Sequence, residues 1–342
     1  MNYLFALGAA ALFAFSVPAG KILLEHLKPL ELSALCYMGS GFGLAVWRAV
    51  ARRPGTEAPL ERRDLPYAAG FIAAGGVLAP LLLFTGLNHT ASSSASMLLN
   101  FELVFTSLIA VTVFKEHGGG RFWLAAALIT AGALALSWEG GAFSFGWGAA
   151  LVLASGLMWG IDNNLTARVS IKDPVTLACL KGLAGGFING ALALYAYGSL
   201  PSLKWAAAAM ALGLFCYGIS LVLFILAMRG LGASRAGAFF GSYPFIGAAL
   251  SVAMLAEPVT GRLLFAGALM LGAFMLLSME SHGHRHRHEP LAHDHGHGHD
   301  DGHHTHPHGG APAARHSHPH SHDTVEHEHP HLPDVHHRHG HG

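Results

Sequence analysis

Ten runs of mostly apolar residues follow one another along the chain, at about 3–25, 31–50, 65–87, 91–114, 121–138, 146–169, 174–197, 203–228, 232–256 and 261–279. Each approaches the roughly 20 residues that an α-helix needs to cross the hydrocarbon core of a bilayer. Backbone N–H and C=O groups in lipid have no water to bond, so a spanning segment must be a helix or part of a closed barrel. The alternation of barrel strands is absent. The expected fold is therefore an all-α membrane protein of ten transmembrane helices. Composition agrees, with 12% of the 342 residues charged against about 25% in a soluble domain. The first run has no basic segment ahead of it and is too long for the core of a signal peptide, so it reads as a retained helix. Cys36, Cys179 and Cys216 fall inside apolar runs and read as small buried hydrophobes. No basic patch suggests nucleic acid as a partner.

Orientation follows from lysine and arginine, which accumulate on the cytoplasmic side of membrane proteins. With a cytoplasmic N-terminus, the inner segments hold 13 such residues: Arg48, Arg52, Arg53, Arg62, Arg63, Lys115, Arg121, Arg168, Lys172, Arg229, Arg235, Arg285 and Arg287. The outer loops hold 3: Lys28, Lys204 and Arg262. Both chain ends are expected in the cytoplasm, in a membrane of the bacterial inner type.

The chain also repeats itself. "ASSSASMLLNFELVFTSLIAVTVFKEHGGGRFWLAAALITAG" from Ala91 aligns with "GASRAGAFFGSYPFIGAALSVAMLAEPVTGRLLFAGALMLGA" from Gly232 at an offset of 141 residues. The alignment matches Ser93 with Ser234, Glu116 with Glu257 and Arg121 with Arg262; upstream, Pro29 matches Pro174 at an offset of 145. Five helices per half invert the second half relative to the first, the plan of many secondary transporters. The expected units are residues 1–140, residues 141–280 and a tail of residues 281–342.

The pattern of small residues, then "FELVF" or "SYPFI", then an apolar run ending in glutamate, then "GRFWLAAALITAG" or "GRLLFAGALMLGA", resembles the EamA repeat of the drug/metabolite transporter superfamily. The resemblance covers about residues 3–279 and implies two inverted five-helix repeats. Its first copy departs from the usual pattern, with Leu103 where a proline is common; the second keeps Pro244. Relatives export amino acids, sugars, drugs and metabolites. A few similar carriers with histidine-rich C-terminal tails are nickel or cobalt resistance exporters, and the chain resembles these most.

Ionisable groups inside spans are costly and tend to face a cavity or a partner. Glu102 sits near the middle of the fourth run, Asp162 in the sixth beside Asn163 and Asn164, Lys181 in the seventh, and Lys21 in the first. Asp162 and Lys181 each lie about seven residues from the same end of adjacent antiparallel helices, roughly 10 Å deep at about 1.5 Å per residue. A neutralising pair is expected, with a path role for Asp162, Asn163 and Asn164 as oxygen ligands the alternative. Glu102 has no evident partner. Desolvation disfavours a lone carboxylate anion, so Glu102 is either a proton site that exchanges with a cation or a protonated glutamate bonded to a neighbouring helix. Glu116 and Glu257 read as helix caps or gate elements, and the glycine pairs Gly39/Gly43, Gly156/Gly160, Gly182/Gly186 and Gly186/Gly190 as packing sites. Pro18 and Pro244 are expected to kink their helices.

Residues 281–342 hold 23 of the 26 histidines and eight acidic residues, with almost no large apolar side chains. Such a segment cannot bury enough surface to offset its ordering entropy and is expected to be disordered. Neutral imidazole suits Ni²⁺, Co²⁺ and Zn²⁺, and the tail has none of the cysteine or methionine that soft Cu⁺ prefers. His282, His284, His286, His288, His293, His295, His297, His299, His303, His304, His306 and His308 form its densest part. They read as a loose, reversible chelator without a zinc-finger frame. The sequence thus points to a secondary exporter of divalent transition metal, Ni²⁺ or Co²⁺ first and Zn²⁺ next, coupled to protons. The alternatives are a generic EamA metabolite or drug exporter with a buffering tail, and a membrane metal sensor. No nucleotide-binding loop of the GxxxxGK[ST] kind occurs, no constellation suggests an enzyme, and no cofactor is required. The expected partners are the lipid bilayer and metal ions; a homodimer stays open.

Overall fold

The computed structural model describes residues 2–51, 60–113, 120–136, 138–139, 142–143, 146–169, 172–231, 236 and 239–278, together with the backbone of four short strands further on. Helices α1 (Asn2–Ala14) and α2 (Ser16–Leu23) make the first apolar run, and α3 (Pro29–Ala51) the second. The third run is α4 (Leu65–Phe71), a π-helical stretch Ile72–Leu78, and α5 (Ala79–Leu87). The fourth is split into α6 (Ser92–Leu98) and α7 (Phe101–Thr112), and the fifth is α8 (Gly120–Leu136). After a short strand pair, Trp138–Glu139 with Ala142–Phe143, come α9 (Trp147–Val169) and α10 (Pro174–Tyr197). The eighth run joins α11 (Leu203–Gly213) to α12 (Ser220–Leu231) through a second π-helical stretch, Leu214–Ile219. The last two contain α13 (Tyr243–Leu255) and α14 (Gly261–Ser278).

Among the described residues, six spans are long and apolar enough to cross a membrane: Asn2–Leu23, Pro29–Val50, Arg62–Leu87, Ser92–Thr112, Pro174–Tyr197 and Leu203–Ala227. Helix α9 is as long as α3, at 23 residues, but it carries Asp162, Asn163, Asn164 and Arg168. Its polar side chains lower its mean apolarity because they serve the interior. Shorter apolar helices cover Trp123–Leu136, Tyr243–Leu255 and Gly261–Leu276.

Local chemistry accounts for several breaks. Pro18 has no N–H for the carbonyl of Ala14, where α1 ends. Pro80, in the first turn of α5, would clash with the carbonyl of Gly76, and the wider π turns lie just ahead of it. Pro29 and Pro174 each open a helix, where the missing N–H costs nothing, and the Asp173 side chain accepts the Val175 N–H at 3.1 Å as the N-cap of α10. Pro244 differs from the expectation of a kink: it sits in the first turn of α13 and starts that helix.

The packing repeats between the halves. Helix α3 lies on α10 and α8 on α14; α1 meets α12 as α5 meets α9, and α7 meets α9 as α13 meets α1. A Cβ at Gly182 would come within 2.5 Å of the Gly41 nitrogen, so the α3–α10 crossing depends on bare backbone there. Gly156 and Gly160 similarly press α9 on the backbone of α7. The glycine pairs therefore act in packing.

Further along, His282–Arg287 pairs antiparallel with Glu326–His331, and Leu291–His297 with His316–His322. This differs from a wholly disordered tail over those four segments. Histidine at alternate positions is itself a period-two pattern, which is the period of a strand.

Candidate central cavity

A cavity of about 70 Å³ lies inside the helix bundle. At about 10–15 Å³ per water centre, it has room for a few waters. One wall is aromatic. Phe13 is its hub, with ring centroids 5.5 Å from Trp159, 5.6 Å from Tyr217 and 4.8 Å from Tyr243, all close to edge-on. The other wall is polar and holds Glu102, Asp162, Asn163 and Lys181. Helices α7, α9 and α10 thus bring together four of the six membrane residues singled out from the sequence, Asn164 and Lys21 lying outside.

Asp162 and Lys181 form a buried ion pair, with the ammonium 2.7 and 2.8 Å from the two carboxylate oxygens. The Thr166 hydroxyl, one helical turn along α9, donates to Asp162 Oδ1 at 3.0 Å. The first π-helical stretch covers the pair. A Cβ on Gly75 would overlap the Asp162 carboxylate, and the Gly75 carbonyl accepts the Tyr37 hydroxyl. The wide turn therefore brings bare backbone against a charge that a side chain would displace.

Glu102 sits just after the break between α6 and α7. Its Oε1 accepts from Asn163 Nδ2 at 2.8 Å and its Oε2 accepts from the Tyr243 hydroxyl at 2.7 Å. The expectation of a glutamate without a partner is corrected: it has two, both neutral. They come from α9 and α13, distant in sequence, so run-by-run reading could not see them. Asn163 also reaches Thr106 Oγ1 at 3.3 Å. Asn164 is turned away from the cavity, and its amide bonds the carbonyls of Thr106 and Gly160, at 2.9 and 2.8 Å. Both asparagines present N–H groups in these bonds and not the oxygens expected of ligands. The Tyr217 side chain also borders the cavity.

Beyond the cavity, polar ties join the helix ends. Glu257 accepts the backbone N–H groups of Ser92 and Ser93 at 2.7 and 2.9 Å, and Ser92 and Ser251 share a hydroxyl bond of 2.8 Å. This is the expected cap, acting on a helix of the other half. On the same helix ends Lys21 donates to the carbonyls of Leu87 and Thr90. Elsewhere Lys172 lies 3.1 Å from Glu61 and 3.4 Å from Asp64, and Arg48 is 3.1 Å from Asp173. Glu116 lies outside the described residues. So do the tail's His288, His299, His303, His304, His306 and His308, while for His282, His284, His286, His293, His295 and His297 only the backbone is described. Among the described residues no group of three or more histidine, cysteine, aspartate or glutamate side chains could hold a metal ion. The three cysteines are free, Cys36 and Cys216 buried and Cys179 half-buried.

Apolar spans around a partly charged cavity point to a multi-pass membrane transporter. The model of the EamA-like transporter family matches residues 1–138 and again 146–279, and the chain belongs to that family. An uncharacterized transporter of Methanothermobacter thermautotrophicus is 30% identical over 294 residues, covering 80% of this chain and 85% of that protein. A crystal structure with a TM-score of 0.62 and 17% identity covers 81% of this chain and 96% of its own, which shows the same fold.

Proposed function

We propose that the chain is a proton-coupled secondary transporter that exports divalent transition-metal cations, Ni²⁺ or Co²⁺ first and Zn²⁺ next. The observation that carries the coupling is Glu102: a buried carboxylate on the cavity wall, held by two neutral donors and, among the described residues, paired with no cation. Asp162 in the same cavity is already neutralised by Lys181. Glu102 is thus the group able to take a proton from one side and release it for a cation on the other. Ten spans in two inverted halves would rock about the paired helices α3/α10, α8/α14 and α6/α13, which supports alternating access. With both ends in the cytoplasm, the 23 tail histidines would gather metal at the inner mouth and raise its local concentration.

A second reading has a specific observation in its favour. The cavity wall mixes aromatic rings with an ion pair, and the described residues hold no metal-ligand cluster. These suit a small organic cargo, with the tail only buffering metal. The full chain and a chain ending at residue 280 decide between them in metal-sensitive cells, by growth and by cell content of Ni²⁺, Co²⁺ and Zn²⁺. Lowered metal with the full chain supports export, and equal lowering by both makes the tail dispensable. Unchanged metal with either chain overturns the metal reading and leaves the organic cargo.

A further inference from the structure

Glu102 and Tyr243 occupy matched positions in the sequence repeat, "FELVF" against "SYPFI" at the offset of 141 residues. They are also hydrogen-bonded to each other, 2.7 Å apart. In a two-fold arrangement a residue touches its own counterpart only where the axis passes between them. The bond therefore marks the axis between the halves, at the start of both α7 and α13. The chain places an acid on one side of the axis and a phenol on the other.

Resting on the reading of Glu102 as the proton site, we infer that Tyr243 is the positioning residue for that proton, donating to Glu102 Oε2 in one state and accepting from it in the other. With Glu102 ionised, the tyrosine O–H points to Oε2. With Oε2 protonated, the carboxyl O–H points to the tyrosine oxygen, and the tyrosine hydrogen turns to the Leu99 carbonyl, 3.5 Å away. Leu99 lies in the break between α6 and α7, and its carbonyl already accepts the Glu102 N–H at 2.9 Å, so its second lone pair is the one used. Tyr243 keeps its own proton throughout; the exchanged proton goes to water in the cavity. Asn163 holds Oε1 in both states, so the proton is confined to Oε2. The ring of Tyr243 is fixed against Phe13 and Phe240, which prevents the hydroxyl from swinging away.

The test is cargo-free. The carboxyl C=O infrared band of the full chain in lipid is titrated against pH for the parent, Glu102→Gln and Tyr243→Phe. The parent should show a titrating band that Glu102→Gln removes. Tyr243→Phe keeps the ring packing and loses only the donor to the anion, so the midpoint should move to higher pH by about one to two units, as loss of a hydrogen bond to a charged group implies. An unmoved midpoint overturns the role of Tyr243 and leaves Glu102 as the proton site. No band removed by Glu102→Gln overturns the proton site itself. Should Tyr243→Phe fail to fold, Glu102→Asp withdraws the carboxyl by one methylene and is expected to shift the midpoint in the same direction; no shift there also overturns the inference.

Discussion

Glu102 and Asp162 are both buried carboxylates on one cavity wall, yet their surroundings differ in kind. Asp162 receives two bonds from a lysine and a third from Thr166. Glu102 receives one from an asparagine and one from a tyrosine. Depth and residue type are nearly shared, so the charge of the partner separates them. Removing either member of a buried ion pair strands the other as an uncompensated charge. A carboxylate among neutral donors strands no partner cation when it takes a proton. The pair is a lock and the lone acid is a handle.

The largest expected effect tests the lock. Lys181→Met should destabilise the detergent-solubilised protein by about 3–5 kcal/mol, since it leaves Asp162 buried without its cation. The double variant Asp162→Asn with Lys181→Met should recover most of that loss in the same thermal unfolding assay. Stability of the single variant equal to the parent would mean that the ion pair is not what holds α9 to α10. Next, Gly75→Ala should cost about 2 kcal/mol by overpacking on the Asp162 carboxylate. In an Asp162→Gly background, which also removes the Cβ that would lie 2.8 Å away, the same change should be nearly neutral, and an undiminished cost there would place the clash elsewhere. Glu257→Ala, which strips a cap from α6, should lower stability by about 1 kcal/mol. A melting temperature unchanged within error would show that water replaces this cap fully. Glu102→Gln should have the smallest effect on unfolding, under about 1 kcal/mol, because its partners are neutral. It should nonetheless abolish the response of transport to a proton gradient, and transport that still follows the gradient would transfer the coupling to another group.

Much of this contrast could be read before any coordinates. Seven residues of depth on adjacent antiparallel helices were enough to expect Asp162 against Lys181. The apolar runs and the 141-residue repeat announced the family and its helical architecture. Glu102 stood out as a charge in an apolar run. Its partners did not, because Asn163 and Tyr243 belong to α9 and α13 and reach it only through the crossing of packed helices. The repeat alignment did contain a signal for Tyr243: counterpart residues in a two-fold fold become neighbours wherever they fall on the axis. The π-helical stretches were beyond pattern reading as well. Gly75, Gly76 and Pro80 hint at one, but the second, at Leu214–Ile219, has no proline to announce it.

By itself the sequence determined what is local or additive. Hydropathy set the helices, proline set several starts and breaks, and repetition set the equivalence of the two halves. Each of these depends on residue type and spacing along one chain. The tertiary structure alone decided that Asn163 and Asn164 offer N–H groups, that Glu257 caps a helix of the opposite half, and that one buried acid is neutralised while another is not. Those outcomes depend on the angle and register at which helices cross. A shift of one turn at the α7–α9 or α6–α13 crossing would preserve every hydropathy pattern and give Glu102 different neighbours.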